Sequence, residues 1–120
     1  MIHVTGKKMV RQTTAPYEYA NEKGELATDD IVVRYFDQNA GEKREYVEKM
    51  RQLAEKDPGK IIWTAEILAT RLESLPDLRG PDGKDFAITV ENLELLSAAN
   101  LTAINAAIIE DESPKSKPGA

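Results

Sequence analysis

The sequence predicts an α+β fold, in which a short antiparallel β-meander is followed by about four α-helices and one hairpin-like loop. The first 38 residues contain segments dense in β-branched and aromatic residues, separated by turn-forming residues, which is typical of strands. After residue 38, apolar residues recur at spacings of three and four, which is typical of amphipathic helices. Strands that precede the helices, instead of alternating with them, indicate an α+β fold.

Three extended segments are predicted in the N-terminal part. Lys8–Gln12 can form a short strand that ends at a turn over Thr13–Pro16. Tyr17–Tyr19 alternates aromatic and polar residues, so both rings lie on one face of a strand. A turn is predicted at Asn21–Gly24, and Ile31–Phe36 is the clearest strand because it is rich in β-branched and aromatic residues. A meander of this size is barely stable alone, so we expect it to pack against the helices.

Two helices are predicted next. Asn39 can cap the first, and Glu42 three residues later can complete a capping box. Asp57–Gly59 ends this helix, because a proline disfavours α-helical geometry at the residue before it. A second helical pattern covers about Lys60–Ser74, and its apolar arc is widened around Trp63, which indicates contacts on more than one side.

A loop and two further helices complete the predicted domain. Gly80–Lys84 has the strongest turn signal in the chain, and the flanking Leu78 and Phe86 can anchor the loop to the core. Thr89 is predicted to cap a short helix through Leu96. Ser97 is predicted to cap a final helix, whose apolar stripe consists of Leu101, Ile104 and Ile108. We therefore predict one domain over residues 1–110, frayed over residues 1–7, and a disordered tail over residues 111–120.

The composition argues against several functions. The chain carries 16 basic and 21 acidic residues, a net charge of −5, so we expect no nucleic-acid binding. It contains no cysteine, which excludes a thiolate nucleophile. Its single histidine, His3, lies in the terminus that is expected to be frayed, so the sequence offers no histidine for a Ser-His-Asp triad and no second one for a multi-histidine metal site. No membrane-spanning run or signal peptide is evident. We expect a cytoplasmic, non-enzymatic protein without a cofactor or metal, which acts through protein partners.

Four apolar residues are the candidate partner-binding residues. Trp63 is the single tryptophan and lies on the helix with the widest apolar arc, so it is either a core residue or an interface anchor. The same two interpretations apply to Ile67 on that helix and to Ile104 and Ile108 on the last one. The sequence leaves the oligomeric state open.

The C-terminal half contains four segments in a characteristic order: Leu68–Leu72, the loop Asp82–Lys84, the helix start Ile88–Leu93, and the apolar helix Leu101–Ile108. In these segments and in their order, the chain resembles bacteriophage tail assembly chaperones. Val90 stands where this family commonly has proline, and the tryptophan expected before the Asp-Gly loop is absent. The resemblance extends over about residues 61–110, and the order of elements agrees from about residue 31.

The resemblance implies a protein that catalyses nothing. Such chaperones keep the long tape-measure protein soluble and help to recruit tail-tube subunits during tail assembly in the host cytoplasm. The expected mechanism is shielding of apolar helical segments by an apolar helix face. The alternative is another phage or prophage structural component, such as a head–tail connector or a tail-completion protein.

Overall fold

The computed structural model describes residues 1–56 and 62–113, except for the side chains of residues 53, 54, 56 and 62–64. A three-stranded antiparallel sheet and four helices make up this part of the chain, which confirms the predicted α+β class. In chain order, the elements are β1 (Val10–Ala20), β2 (Leu26–Phe36), α1 (Ala40–Lys56), α2 (Ile62–Arg71), β3 (Leu72–Ser74), α3 (Val90–Leu93) and α4 (Ala98–Glu112).

Strands β1 and β2 form one long hairpin. They pair from Val10 opposite Phe36 to Ala20 opposite Leu26. Gly24 supplies the predicted turn between them, with a φ angle of 76°. The predicted turn at Thr13–Pro16 is wrong, because β1 continues through it. Pro16 is tolerated there because β1 is an edge strand, where a missing N–H does not interrupt a second ladder.

Strand β3 replaces the predicted end of the second helix. The apolar pattern predicts a helix as far as Ser74, but α2 ends at Arg71, and Leu72–Ser74 pairs with the other edge of β2. Tyr35 lies opposite Leu72 in this short ladder. The buried Leu72 side chain belongs to the core in either conformation, so its apolar character did not distinguish a helix from a strand.

The core lies between one face of the sheet and the helices α2, α3 and α4. Because side chains alternate along a strand, residues 31, 33 and 35 of β2 all face inwards. The predicted stripe of α4 packs against them, which confirms that prediction. The buried apolar residues of this cluster are Ala15, Ile31, Val33, Tyr35, Ala65, Leu68, Leu72, Leu75, Phe86, Leu93, Leu101, Ile104 and Ile108.

The predicted helix caps are confirmed. The Glu42 N–H donates to Asn39 Oδ1 (2.8 Å), and the Asn39 N–H donates to Glu42 Oε1 (3.1 Å), which is a complete capping box. The Thr89 hydroxyl accepts from the Asn92 N–H at the start of α3, which ends at Leu93 and not at Leu96. The Ser97 hydroxyl accepts from the N–H of residue 100 at the start of α4.

The predicted loop between β3 and α3 is also confirmed. The Gly80 N–H donates to the Lys84 carbonyl (2.8 Å), and Gly83 takes a φ angle of 78°. Phe86 is buried and Leu78 packs against the core, as expected for anchors of the loop.

Helix α4 extends two residues past the predicted end of the domain. Asp111 and Glu112, which the sequence places in a disordered tail, are helical, and both are partly buried. The remainder of the predicted tail, residues 114–120, lies outside the described residues. Within the described ranges, no helix has the length and apolar character needed to cross a membrane.

Candidate protein-binding site

One edge of the sheet is partly open. Strand β1 pairs with β2 on one side only, and no described strand pairs with its other side. In an antiparallel ladder, alternate residues direct their N–H and C=O groups towards the partner strand and away from it. The Met9 carbonyl accepts from the Asp37 N–H (2.8 Å), so odd-numbered residues of β1 bond to β2. Even-numbered residues therefore direct their main-chain groups outwards.

Asn100 on α4 blocks this edge near the C-terminal end of β1, at Glu18. Its Oδ1 accepts from the Glu18 N–H (2.8 Å) and its Nδ2 donates to the Glu18 carbonyl (2.8 Å). Asn100 is buried, so its amide occupies the position that one residue of a neighbouring strand would take. Pro16 has no N–H to offer. The outward groups that remain for a further strand belong to Val10, Gln12 and Thr14, and we call residues 10–14 the open edge.

A groove of about 430 Å³ runs beside the open edge, between β1 and α4. We call it the edge groove. Small side chains form its helical wall, so an added chain can approach α4 closely, and two carboxylates lie at one end. Its lining consists of Thr13, Thr14, Pro16, Ala103, Ala106, Ala107, Glu110 and Asp111. This arrangement can accept an extended segment through main-chain hydrogen bonds, the mode known as β-augmentation.

Buried polar contacts fix the C-terminal end of α4. The Arg71 guanidinium, 2% exposed, donates to Glu112 Oε2 (2.6 Å) and Oε1 (3.2 Å). It also donates to the Phe36 carbonyl (3.2 Å) and lies over the rings of Tyr35 and Tyr46, at 5.5 and 5.6 Å from their centroids. These contacts satisfy a buried cation on several sides, as burial of a charge requires.

Tyr35 makes the second contact at this end of α4. Its hydroxyl donates to the Asp111 carboxylate. Burial of the ring, together with the hydrogen bond to Asp111, raises the pKa of Tyr35 well above its usual range. The phenol therefore remains a neutral donor, and it holds α4 over β2.

Another concave region, of about 230 Å³, lies between α1 and α2. Arg71 Nε and Gln38 Oε1 border it, and neither has a hydrogen-bond partner among the described residues. Glu112 already neutralises Arg71, and lysines and glutamates alternate around the opening, so this region offers no net charge to an anion. In the described part of the chain, no group of three metal-ligating side chains comes together.

The structure corrects the predicted partner-binding residues. Ile67 is 2% exposed, and Ile104 and Ile108 are fully buried. Ile104 and Ile108 belong to the core, and Ile67 is almost fully buried beside the concave region between α1 and α2, so none of the three presents an exposed binding surface in the described structure. Trp63 lies in α2, but its side chain is not among the described ones, so its role in partner binding stays a prediction.

Sequence reasoning did not find the residues that form the open edge. Pro16 carried a usable signal, because a proline inside an alternating strand pattern indicates an edge strand. Asn100 carried none, since its partner Glu18 is 82 residues away in the chain.

Comparisons with known proteins add no identification. No family model matches the chain, and neither a curated protein nor a solved structure matches it.

Proposed function

We propose that the chain is a non-enzymatic tail assembly chaperone, which binds a segment of the tape-measure protein along the open edge of β1. The segments that resemble this family, at residues 68–72, 82–84, 88–93 and 101–108, motivate the class of protein. The observation that carries the binding site is the row of outward main-chain groups at Val10, Gln12 and Thr14 beside the edge groove.

Main-chain recognition suits the task of a chaperone. Hydrogen bonds to N–H and C=O groups do not depend on the side chains of the client, so one edge can serve many segments of a long protein. The wall formed by Ala103, Ala106 and Ala107 adds contact with small apolar side chains. Capture of extended segments at this edge replaces the helix-face mechanism expected from the sequence, because Ile67, Ile104 and Ile108 are buried.

The tagged full chain, expressed with its native gene neighbourhood, provides the test. We expect the very long tape-measure protein, or a tail-tube subunit, to copurify with it and to be identified by mass spectrometry. Ala106→Arg places a long cation in the edge groove and should reduce this capture at least about tenfold. Thr102→Arg is the matched control, because Thr102 is exposed on α4 but does not line the groove.

Two outcomes contradict the proposal. Equal capture by the Ala106→Arg and Thr102→Arg variants would remove the edge groove as the site. Presence of the protein in finished virions, as a ring or another stoichiometric component, would instead support a connector or tail-completion protein, because a chaperone leaves the particle.

A further inference from the structure

We propose that a second copy of this chain occupies the open edge of β1 when no client is bound. The two copies pair antiparallel about a two-fold axis through Gln12, the middle residue of the open edge. The dimer itself does not depend on the identity of the client. The competition between client and second copy rests on the proposed function.

The open edge is complementary to itself in this register. An axis at Gln12 places Val10 of one copy opposite Thr14 of the other, and Gln12 opposite itself. All three carry outward main-chain groups, so each pair exchanges two hydrogen bonds, about six in total. A two-fold axis requires such self-complementarity, because both copies present the same residues. The product is one continuous sheet of two three-stranded halves.

The boundaries of the open edge select this register. Beyond Thr14, the second copy meets Pro16, which donates no hydrogen bond, and then Glu18, whose N–H and C=O are already bound by Asn100. Before Val10 the strand ends. Pairing is therefore limited to a short segment centred on Gln12.

Helix α4 leaves room for the second copy. Near its start, Asn100 reaches the outward groups of Glu18, so this end lies at the outer side of β1. Near its end, Asp111 binds Tyr35 on β2. The helix thus runs from the outer side of β1 towards β2, and beside Thr13 and Thr14 the edge groove separates it from β1. The C-terminal ends of the two α4 helices lie on opposite sides of the axis, and each is held to its own β2 by the contact between Asp111 and Tyr35.

Charges complement each other across the same axis. Arg11 lies on the α4 side of the sheet, where its Nε is 3.3 Å from Asp37 Oδ1 and where it borders a cavity with Asp111. In the dimer, Arg11 of one copy stands beside Thr13 of the other. Thr13 lines the edge groove together with Glu110 and Asp111. Each Arg11 guanidinium therefore enters the acidic end of the opposite groove, which favours this register.

In the dimer, each copy covers the client-binding site of the other. An open strand edge is a template for aggregation, and pairing with a second copy removes it. Client and second copy require the same main-chain groups, so they compete. Released monomers, and not the dimer, then capture the client, and rising client concentration should dissociate the dimer.

Engineered cysteines test the register, because the natural chain contains none. Gln12→Cys places two thiols on the axis, at the separation of a hydrogen-bonded pair, about 5.5 Å between Cα atoms. A disulfide accepts this separation. Thr14→Cys is the matched control, since the two copies of residue 14 lie roughly 13 Å apart along the strands. On mild oxidation, we expect a covalent dimer from Gln12→Cys and none from Thr14→Cys. Equal cross-linking of both variants, or none of Gln12→Cys, would overturn the proposal.

A charge exchange tests the same dimer without cysteine. Arg11→Glu and Glu110→Arg should each weaken dimerisation about tenfold, measured by sedimentation equilibrium, because each places like charges at two symmetric contacts. The double variant restores opposite charges and should regain most of the affinity. Circular dichroism verifies that each variant is folded, and a double variant as weak as the singles would refute the register. Cross-linking of Gln12→Cys together with failed recovery of a tape-measure protein would refute the proposed function and leave the dimer intact.

Discussion

Neutralising Glu112 should destabilise the whole domain, because it leaves the Arg71 cation buried without its counterion. Arg71 is 2% exposed and the Glu112 side chain 11% exposed, so water replaces little of the lost contact. Removing one partner of a buried ion pair costs about 3–5 kcal/mol. Glu112→Gln keeps one acceptor oxygen for Arg71, and water can reach the slightly exposed side chain of residue 112. Both effects reduce the loss in the free energy of unfolding. We therefore expect a decrease of about 3 kcal/mol in the free energy of unfolding, at the lower end of that range.

Urea unfolding followed by circular dichroism measures this change. A domain of this size is stable by only about 5–15 kcal/mol, so the shift in midpoint will be large. Glu55→Gln is the matched control: its Oε1 lies 2.6 Å from Arg51 Nη1, but both side chains are more than half exposed. Exposed ion pairs contribute little, so the control should unfold like the natural chain.

The double variant Arg71→Met, Glu112→Met sharpens the test. Replacing both charges with apolar side chains of similar length removes the unpaired cation and should recover most of the lost stability. The reasoning is refuted if Glu112→Gln costs less than about 1 kcal/mol, since Arg71 would then be adequately satisfied without Glu112. It is also refuted if the double variant is as unstable as the single one, since the unpaired cation would then not be the cause of the loss.

Three further predictions concern other contacts. Asn39→Ala removes the capping box of α1 and should lower the free energy of unfolding by about 1 kcal/mol, with faster amide exchange in the first turn of that helix. The pKa of Tyr35 is raised in the folded protein, so the protonated hydroxyl stabilises the fold below the usual tyrosine pKa of about 10, and this contribution is lost as the pH rises beyond that value. Tyr35→Phe has no such hydroxyl and should therefore lose less stability than the natural chain between about pH 9 and 11. Asn100→Ala leaves the N–H and C=O of Glu18 without their two hydrogen bonds and should cost about 1–3 kcal/mol by urea unfolding. Asn105→Ala removes a single hydrogen bond, accepted from the Tyr46 hydroxyl (3.2 Å) at a half-buried position, and should cost less.

The helix caps and the Asp-Gly turn were predictable from the sequence because each depends only on residues close together in the chain. The capping box at Asn39 and the caps at Thr89 and Ser97 depend on residues three positions apart, and the structure has all of them. Gly83 takes the positive φ angle that an Asp-Gly turn requires. Each of these features is decided within a few residues of chain.

Tertiary contacts account for the wrong predictions. Leu72–Ser74 has a helical pattern, but β2 offers a free edge that the sequence cannot reveal. Pro16 marks a turn in most contexts, and only its place on an outer strand lets β1 continue. The apolar stripe at Ile104 and Ile108 fits a core and an interface equally well, and the inward face of β2 decides for the core.

Helix α4 connects stability with binding. Asn100 fixes its start to Glu18, and Asp111 and Glu112 fix its end to Tyr35 and Arg71. The edge groove lies between these two clamps, so they set the distance between α4 and β1. Weakening the contacts at either end of α4 changes the width of the groove without altering a residue of the open edge. A Glu112→Gln variant that remains folded at low temperature should therefore bind a strand at this edge less well, even though Val10, Gln12 and Thr14 are unchanged.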